Sequence, residues 1–304
     1  MAPADEDATM DEMKVGVVDV GSNTVRLLVA SVSGGEVRSI REERVHLGLG
    51  EEIVLHGRIR RQKLDELRKV ARTFRDVARE HRVRELETVV TAPGRQADPK
   101  RLLDVLGRAT GAPVRVVSAE DEGRLAYAGA VSRLDRAADV LAVCDVGGGS
   151  TEIVVGTPLG GAAWVRSVDV GSLRLTVAEL RGDPPSPPEI AAARSTVGAA
   201  FAGLAPPQPE IALATGGSAR AIARIVGHAY GPGELDQVVR VLGGRPAERT
   251  AKAFGVPLHR ARTLLAGALV LEVVSGLLGV QFTPARGGIR EGVALRLAAE
   301  QLAA

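Results

Sequence analysis

The sequence is poor in cysteine, aromatic residues and net charge, and each shortage excludes a class of protein. Cys144 is the single cysteine among 304 residues, so a disulfide framework or a cysteine-based metal site cannot form, and a reducing, cytoplasmic location is expected. Aromatic residues make up 2%, too few for a platform that stacks single-stranded bases. The formal net charge is only +2, so no strong field attracts nucleic acid, and none is expected as a partner.

Long hydrophobic runs without a charge are also missing. The most apolar stretch, residues 263–282, carries Glu272 near its centre and three glycines. Because a charge at the centre of a bilayer is costly, this stretch is predicted to be a buried helix, and no membrane partner is expected. The first dozen residues are acidic and polar. They lack the features of a signal peptide, so residues 1–13 are predicted to be a disordered tail.

What the sequence does contain is an internal repeat. One copy begins at Val15 and reads VGVVDVGSNTVRLLVASVSGGEVRSI, and the other begins at Leu141 and reads LAVCDVGGGSTEIVVGTPLGGAAWVRSV. In each copy an apolar strand ends in Asp-Val-Gly, small residues form a turn, a β-branched strand follows, and a Gly-Gly turn leads to a third strand. The repeat predicts two β-meanders, one in each of two lobes.

Strands that alternate with helices follow the meanders and predict mixed α/β sheets. Hydrophobic spacing predicts helices at residues 62–81, 100–110, 118–132 and 189–201, and strands at 88–91, 114–117 and 211–214. Ser118 is predicted to be the N-cap of its helix. We place an N-terminal lobe at residues 14–133 and a C-terminal lobe at residues 134–304. The helix at 118–132 bridges them, and the last helix, from near Arg290, packs back on the first lobe.

The two Asp-Val-Gly turns are candidates for a phosphate site. Glycine-rich turns let backbone N–H groups converge on an anion because no Cβ intrudes. A Walker loop is excluded because GxxxxGK[ST] does not occur, and a dinucleotide fingerprint is excluded because a strand follows each turn where a helix is required. The residues expected to grip phosphoryl oxygens are Ser22, Asn23 and Thr24 in the first turn, and Gly147, Gly148, Gly149 and Ser150 in the second.

An aspartate precedes each turn. Asp19 and Asp145 can each hold a divalent cation, directly or through water. Two ordinary tight hairpins are the alternative interpretation. The same acid before both turns favours the phosphate site.

The chain resembles the exopolyphosphatase/guanosine pentaphosphate phosphohydrolase (Ppx/GppA) family in its short, two-domain form. The matching strings are VVDVGSNTVRLLVA, RVHLG, SAEDEGRLAYAGA, VCDVGGGSTEIVVG, VDVGSLRLT, ATGGSARAI and GGIREGVAL, in family order from Val15 to about Leu297. The resemblance implies a duplicated ribonuclease H-like fold of the actin-like ATPase superfamily, with two lobes and a central cleft. It also implies a homodimer.

The resemblance also assigns roles to residues. The catalytic glutamate falls on Glu122, whereas the residues alone leave Glu120, Asp121 and Glu122 equivalent, since a helix N-terminus favours any acid. Asp145 and Glu152 match metal-linked acids, and Asp19 helps through water. Further phosphate contacts are implied at Arg95, Ser172, Gly216, Gly217 and Ser218. Arg95 follows Pro93-Gly94, where the family has small residues, and Arg290 is expected to be structural.

The expected function is that of an exopolyphosphatase. The enzyme would use Mg²⁺, or another divalent cation, to hydrolyse the terminal phosphate of linear, short-chain polyphosphate and release orthophosphate. One alternative is removal of the terminal phosphate from guanosine pentaphosphate. Another, of a different class, is an actin-like ATP-binding kinase or assembly protein, because the architecture serves both.

Overall fold

The computed structural model describes residues 12–96, 98–134, 138–227 and 229–302. Two five-stranded sheets form the centres of two lobes, with strand orders β3-β2-β1-β4-β5 and β10-β9-β6-β7-β8. The first three strands of each lobe form an antiparallel meander. The duplicated meander predicted from the repeat is therefore confirmed. Residues 1–11 of the predicted tail lie outside the described residues.

The first half of the chain contains the first sheet and, within its described residues, four α-helices. Its elements are β1 (Met13–Val20), β2 (Thr24–Ser33), β3 (Glu36–His46), α1 (Leu49–His56), α2 (Arg61–Glu80), β4 (Glu85–Val90), a 3-10 turn (Ala92–Arg95), α3 (Lys100–Thr110), β5 (Val114–Val116) and α4 (Ala119–Val131). Strand β1 begins at Met13, which was assigned to the tail, because Met13 pairs with Val32 of β2. The predicted N-cap is present, since the Ser118 hydroxyl accepts a hydrogen bond from the Asp121 amide at 3.0 Å.

The second lobe is richer in helices. Its elements are β6 (Leu141–Val146), β7 (Thr151–Thr157), β8 (Gly161–Val168), α5 (Ser172–Glu179), α6 (Pro187–Phe201), β9 (Ile211–Thr215), α7 (Gly216–Val226), α8 (Pro232–Gly243), α9 (Ala247–Phe254), α10 (Leu258–Leu278), β10 (Phe282–Pro284) and α11 (Ile289–Leu302). Helices α1 and α5 were not predicted. Each has only eight residues, too few for a clear helical period to stand out in the sequence.

Helix α10 is the apolar stretch of the sequence. By length and composition it is able to cross a membrane, but 72% of its most apolar window is buried inside the molecule. Leu264, Leu269 and Val270 lie in the main core of the second lobe. Glu272 is on the outer side of the helix and pairs with Arg194 of α6 at 3.0 Å. The prediction of a buried helix is thus confirmed.

Helices α4 and α11 connect the lobes by crossing each other. Tyr127 of α4 packs with Leu141 and Val143 of the second sheet, whereas Val293 of α11 packs with Val15 of the first sheet. Each helix therefore covers the sheet of the other half of the chain. The two backbones touch at glycines, which permit the close approach because they have no Cβ.

A methyl group at this crossing is expected to destabilise the protein. A Cβ on Gly129 would collide with the Gly288 carbonyl oxygen and lie 2.6 Å from the Gly292 amide nitrogen. Overpacking of this kind costs about 1–3 kcal/mol or more, so Gly129→Ala should lower the free energy of unfolding by at least that amount in a denaturant titration. The control is Gly198→Ala on α6, where an added Cβ meets nothing within 4 Å. Equal stability of the two variants would contradict the close crossing.

Candidate active site

A cleft of about 390 Å³ lies between the lobes, and both Asp-Val-Gly turns open into it. The predicted site residues that line this cleft are Asp19, Ser22, Asn23, Thr24, Glu122, Asp145, Gly147, Gly148, Gly149, Ser150, Gly216 and Gly217. The two turns close with the same hydrogen bond, from Gly21 N to Thr24 O at 3.1 Å and from Gly147 N to Ser150 O at 3.0 Å. The repeat thus builds two equivalent turns that meet across one cleft.

The turns approach each other so closely that side chains are excluded. A Cβ on Gly148 would lie 3.0 Å from the Ser22 Cβ, and one on Gly149 would lie 3.1 Å from both the Ser22 Oγ and the Ala92 Cβ. These glycines therefore leave backbone N–H groups accessible where larger residues would cover them. Such an arrangement suits a bound phosphoryl group.

In the second sheet, a row of four polar residues crosses the strands next to the turn. Asp145 of β6 pairs with Glu152 of β7 and with Thr215 of β9, and Glu152 pairs with Ser167 of β8. Directly paired residues point to the same face of a sheet. The order is therefore hydroxyl, carboxylate, carboxylate, hydroxyl, and two acids stand side by side.

The equivalent row in the first sheet has a different charge. Asp19 of β1 pairs with Arg26 of β2, which pairs in turn with Arg44 of β3. Arg26 occupies the position that Glu152 has in the second copy, as both residues face the aspartate that precedes the turn. The first lobe thus presents guanidinium groups where the second presents a carboxylate.

Among the three acids at the start of α4, only Glu122 is buried. Glu122 is 8% exposed, and its Oε2 accepts a hydrogen bond from Arg95 Nη1 at 2.7 Å. Glu120 is exposed and pairs with Arg124 at 2.7 Å, and Asp121 is exposed and bonds to the Ser118 hydroxyl at 2.8 Å. Burial therefore distinguishes the three acids that the sequence pattern leaves equivalent.

Burial also changes the acidity of the carboxyl groups around the cleft. It raises the pKa of Glu122 to about 7, with Arg95 acting in the opposite direction. Burial raises the pKa of Asp19 and of Asp145 as well. The pKa of Glu152 is raised well above its usual range, first by burial and then by the charges of Glu122 and Asp145. A carboxyl with a pKa near neutrality is suited to accept a proton during catalysis.

Six arginines that were not predicted to bind the substrate also line the cleft: Arg26, Arg44, Arg220, Arg260, Arg286 and Arg290. Burial, and after it the charges of neighbouring arginines, lower the pKa of Arg26 to about 10 and that of Arg260 to about 9. Arg26 and Arg260 both remain cations at neutral pH. Arg290, expected to be structural, bonds to Glu42 at 2.9 Å and lines the cleft too. The sequence contained a signal for most of them, since five of the six stand inside or next to the family strings and only Arg260 does not.

A family model described as the Ppx/GppA phosphatase family matches residues 28–301. The chain belongs to this family. It is 30% identical over 319 residues to a Mycobacterium tuberculosis protein named exopolyphosphatase 2, a match that covers 94% of this chain and 98% of the relative. The enzyme is therefore a hydrolase of the phosphatase type, as the sequence predicts.

Solved structures of family members share its fold. A Ppx/GppA protein of Aquifex aeolicus superposes with a TM-score of 0.81 at 24% identity, covering 95% of this chain and 99% of the other. An exopolyphosphatase of Cytophaga hutchinsonii superposes with a TM-score of 0.85 at 19% identity, covering 95% and 98%. The predicted two-lobed, actin-like fold is confirmed.

The carboxylates of Asp145 and Glu152 suit a divalent cation whose remaining ligands are water and substrate oxygens. Within the described residues, no three His, Cys, Asp or Glu side chains are grouped closely enough to hold a metal unaided. The Glu152 Oε2 is buried without a hydrogen-bond partner, and Asp145 lies on the neighbouring strand. Mg²⁺ commonly binds one or two carboxylates and completes its shell with water and substrate phosphate oxygens, so the Asp145 and Glu152 pair matches its preference.

Four predicted site residues do not line the cleft: Arg95, Glu152, Ser172 and Ser218. Ser172 is buried, and its hydroxyl donates to the Gly147 carbonyl at 3.1 Å. Ser218 is buried under Arg260, whose guanidinium donates to the Ser218 hydroxyl at 3.4 Å. Both serines support a group that lines the cleft. Neither serine hydroxyl lines the cleft in this arrangement.

Arg95 does not itself line the cleft, but it bonds to Glu122, which does. Besides Glu122 it contacts the Val117 carbonyl at 3.0 Å and the Ser150 hydroxyl at 3.4 Å. Because Arg95 lowers the pKa of Glu122, Arg95→Gln should raise that pKa. The acidic limb of the pH profile of kcat/KM is then expected to move to higher pH. Arg101→Gln, an exposed change on α3, should leave the profile in place, and an unmoved limb in both variants would contradict this electrostatic role.

Proposed function

We propose that the enzyme hydrolyses the terminal phosphate of linear polyphosphate with the help of Mg²⁺ and releases orthophosphate. The observation that supports this most is the distribution of charge in the cleft. Within the described chain, Arg26, Arg44, Arg220 and Arg260 have no carboxylate at ion-pair distance, and they lie near one another. One guanidinium group can bind two phosphate oxygens at once, so these four arginines suit an extended polyanion.

The chemical step is transfer of a phosphoryl group to water. The two turns hold the terminal phosphate through backbone N–H groups, and the arginines hold the remainder of the chain, which fixes the reacting group in place. Glu122 accepts a proton from the attacking water. The new P–O bond forms as the bridging P–O bond breaks, and its electron pair leaves with the shortened chain. A magnesium ion at Asp145 and Glu152 would supply further charge stabilisation to the phosphoryl oxygens.

The cleft favours polyphosphate over guanosine pentaphosphate. None of the described residues that line it is Phe, Tyr or Trp, so a guanine base has no aromatic side chain on which to stack. A cleft of about 390 Å³ encloses only a short stretch of chain, so a short polyphosphate is long enough to fill it. The family membership reported above disfavours the kinase and filament alternatives.

The test is orthophosphate release from polyphosphates of short, medium and long chain, with guanosine pentaphosphate and ATP alongside. Each substrate is assayed with Mg²⁺ and with an excess of chelator. We expect the highest kcat/KM for a short polyphosphate and loss of activity on chelation. Faster release from guanosine pentaphosphate than from every polyphosphate would overturn the proposal. A homodimer and a cytoplasmic location stay predictions.

A further inference from the structure

Ser167 lies beside the metal-linked acid Glu152 and was not part of the predicted site. The two residues are directly paired across β7 and β8. The Ser167 hydroxyl donates to the Glu152 Oε1 at 2.7 Å. Glu152 is only 1% exposed, so no bulk water replaces this contact. The serine therefore fixes one of the two carboxylate oxygens.

The other carboxylate oxygen is left unsatisfied. By geometry, Glu152 Oε2 is buried and accepts no hydrogen bond from the described residues, although the Ser150 hydroxyl lies close enough to the carboxylate to oppose the rise that burial causes in its pKa. A buried oxygen without a partner costs free energy of folding, and such groups call for an explanation by an unseen water, an ion or a ligand. On the neighbouring strand, Asp145 stands on the same face. An acceptor oxygen next to a second carboxylate is a position for a cation.

We propose that Ser167 is a positioning residue that holds Oε1 of Glu152 and so presents Oε2 to the divalent cation. This inference rests on the proposed magnesium site. The structural reason is that a carboxylate on a flexible side chain can rotate, and a fixed donor to one oxygen restricts the direction of the other. Hydrogen-bonded partners of ligating carboxylates commonly act in this way, and their removal weakens metal binding.

The first lobe has different side chains at the equivalent positions. There the residue equivalent to Glu152 is Arg26, and the residue equivalent to Ser167 is Arg44. Arg44 lines the cleft itself. In the second lobe the small hydroxyl side chain leaves room for the glutamate and supplies it with a donor. The duplicated position therefore serves an anion in one lobe and, by our inference, a cation in the other.

The experiment is isothermal titration calorimetry of Mn²⁺, used as the probe cation, into the purified protein without substrate. We expect Ser167→Ala to weaken binding by roughly 10-fold to 100-fold, the usual effect of losing such a partner. Ser167→Thr, which keeps the hydroxyl, should restore affinity. Ser195→Ala, an exposed change on α6, should have no effect. Thermal melting of each variant reports its folding.

The outcomes separate this inference from the proposed function. If Ser167→Ala binds Mn²⁺ as tightly as the unaltered protein, Ser167 has only a structural role and the inference is overturned. It is also overturned if the unaltered protein binds no Mn²⁺, or if Ser167→Thr fails to restore affinity while remaining folded. If Ser167→Ala weakens binding and the unaltered enzyme releases no orthophosphate from polyphosphate, the positioning role stands and the proposed substrate fails.

Discussion

Glu122→Gln is expected to reduce orthophosphate release by about 10²-fold to 10⁴-fold, the usual contribution of a positioned acid or base. The amide keeps the size of the side chain but cannot take a proton from water. It also keeps an acceptor oxygen for Arg95, which bonds to Glu122 at 2.7 Å. The fold and the binding of polyphosphate should therefore persist, and only kcat should fall.

The measurement pairs steady-state kinetics with equilibrium binding of polyphosphate. Glu120→Gln is the matched control, because Glu120 lies in the same helical turn but is exposed and pairs only with Arg124 among the described residues. Near-normal turnover by the Glu122 variant would show that another group acts as the base. A loss of binding equal to the loss of turnover would assign Glu122 to substrate affinity.

Asp145→Asn should raise the magnesium concentration needed for half-maximal activity by at least roughly 10-fold. The amide removes a negative charge from the pair that Asp145 forms with Glu152, and an amide oxygen is a weaker ligand for a hard cation than a carboxylate. Activity should recover in part at high Mg²⁺. That recovery distinguishes a metal ligand from a residue needed only for folding.

The comparison variant is Asp169→Asn, because the side chain of Asp169 is 87% exposed. Its magnesium titration should superpose on that of the unaltered enzyme. An unchanged magnesium requirement in Asp145→Asn would remove this residue from the metal site. It would leave Glu152 as the carboxylate to test next.

The sequence predicts most of the local structure because local periodicity determines it. The meanders, the N-cap at Ser118 and helix α3, whose bounds match the prediction, follow from turn residues and helical spacing. The short helices α1 and α5 have no such period to reveal them. The crossing of α4 and α11 depends on glycines distant in sequence, Gly129 and Gly288, whose contact no local pattern records.

The candidate site was also predictable only in part, where its residues form local motifs. The glycine turns were visible as motifs, and the family resemblance assigned the catalytic role to Glu122. The residues alone left Glu122 and its neighbours equivalent, because burial, which distinguishes them, is a tertiary property. The arginines that line the cleft were not predicted as a group because they come from separate segments of both halves of the chain, such as Arg26 and Arg260. Ser172 and Ser218 stood in phosphate-type strings, but packing turned their hydroxyls to other groups.

The opposite charges at Arg26 and Glu152 have a practical consequence. On one side of the cleft, a bound anion meets positive groups that are part of the chain. On the other, by our proposal, it meets an ion that exchanges with solution. Added salt should weaken the first kind of contact by screening, whereas a chelator acts on the second alone. The two kinds of contact therefore respond to different changes of the buffer: the arginine contacts to ionic strength, and the contact through the ion to the concentration of free metal.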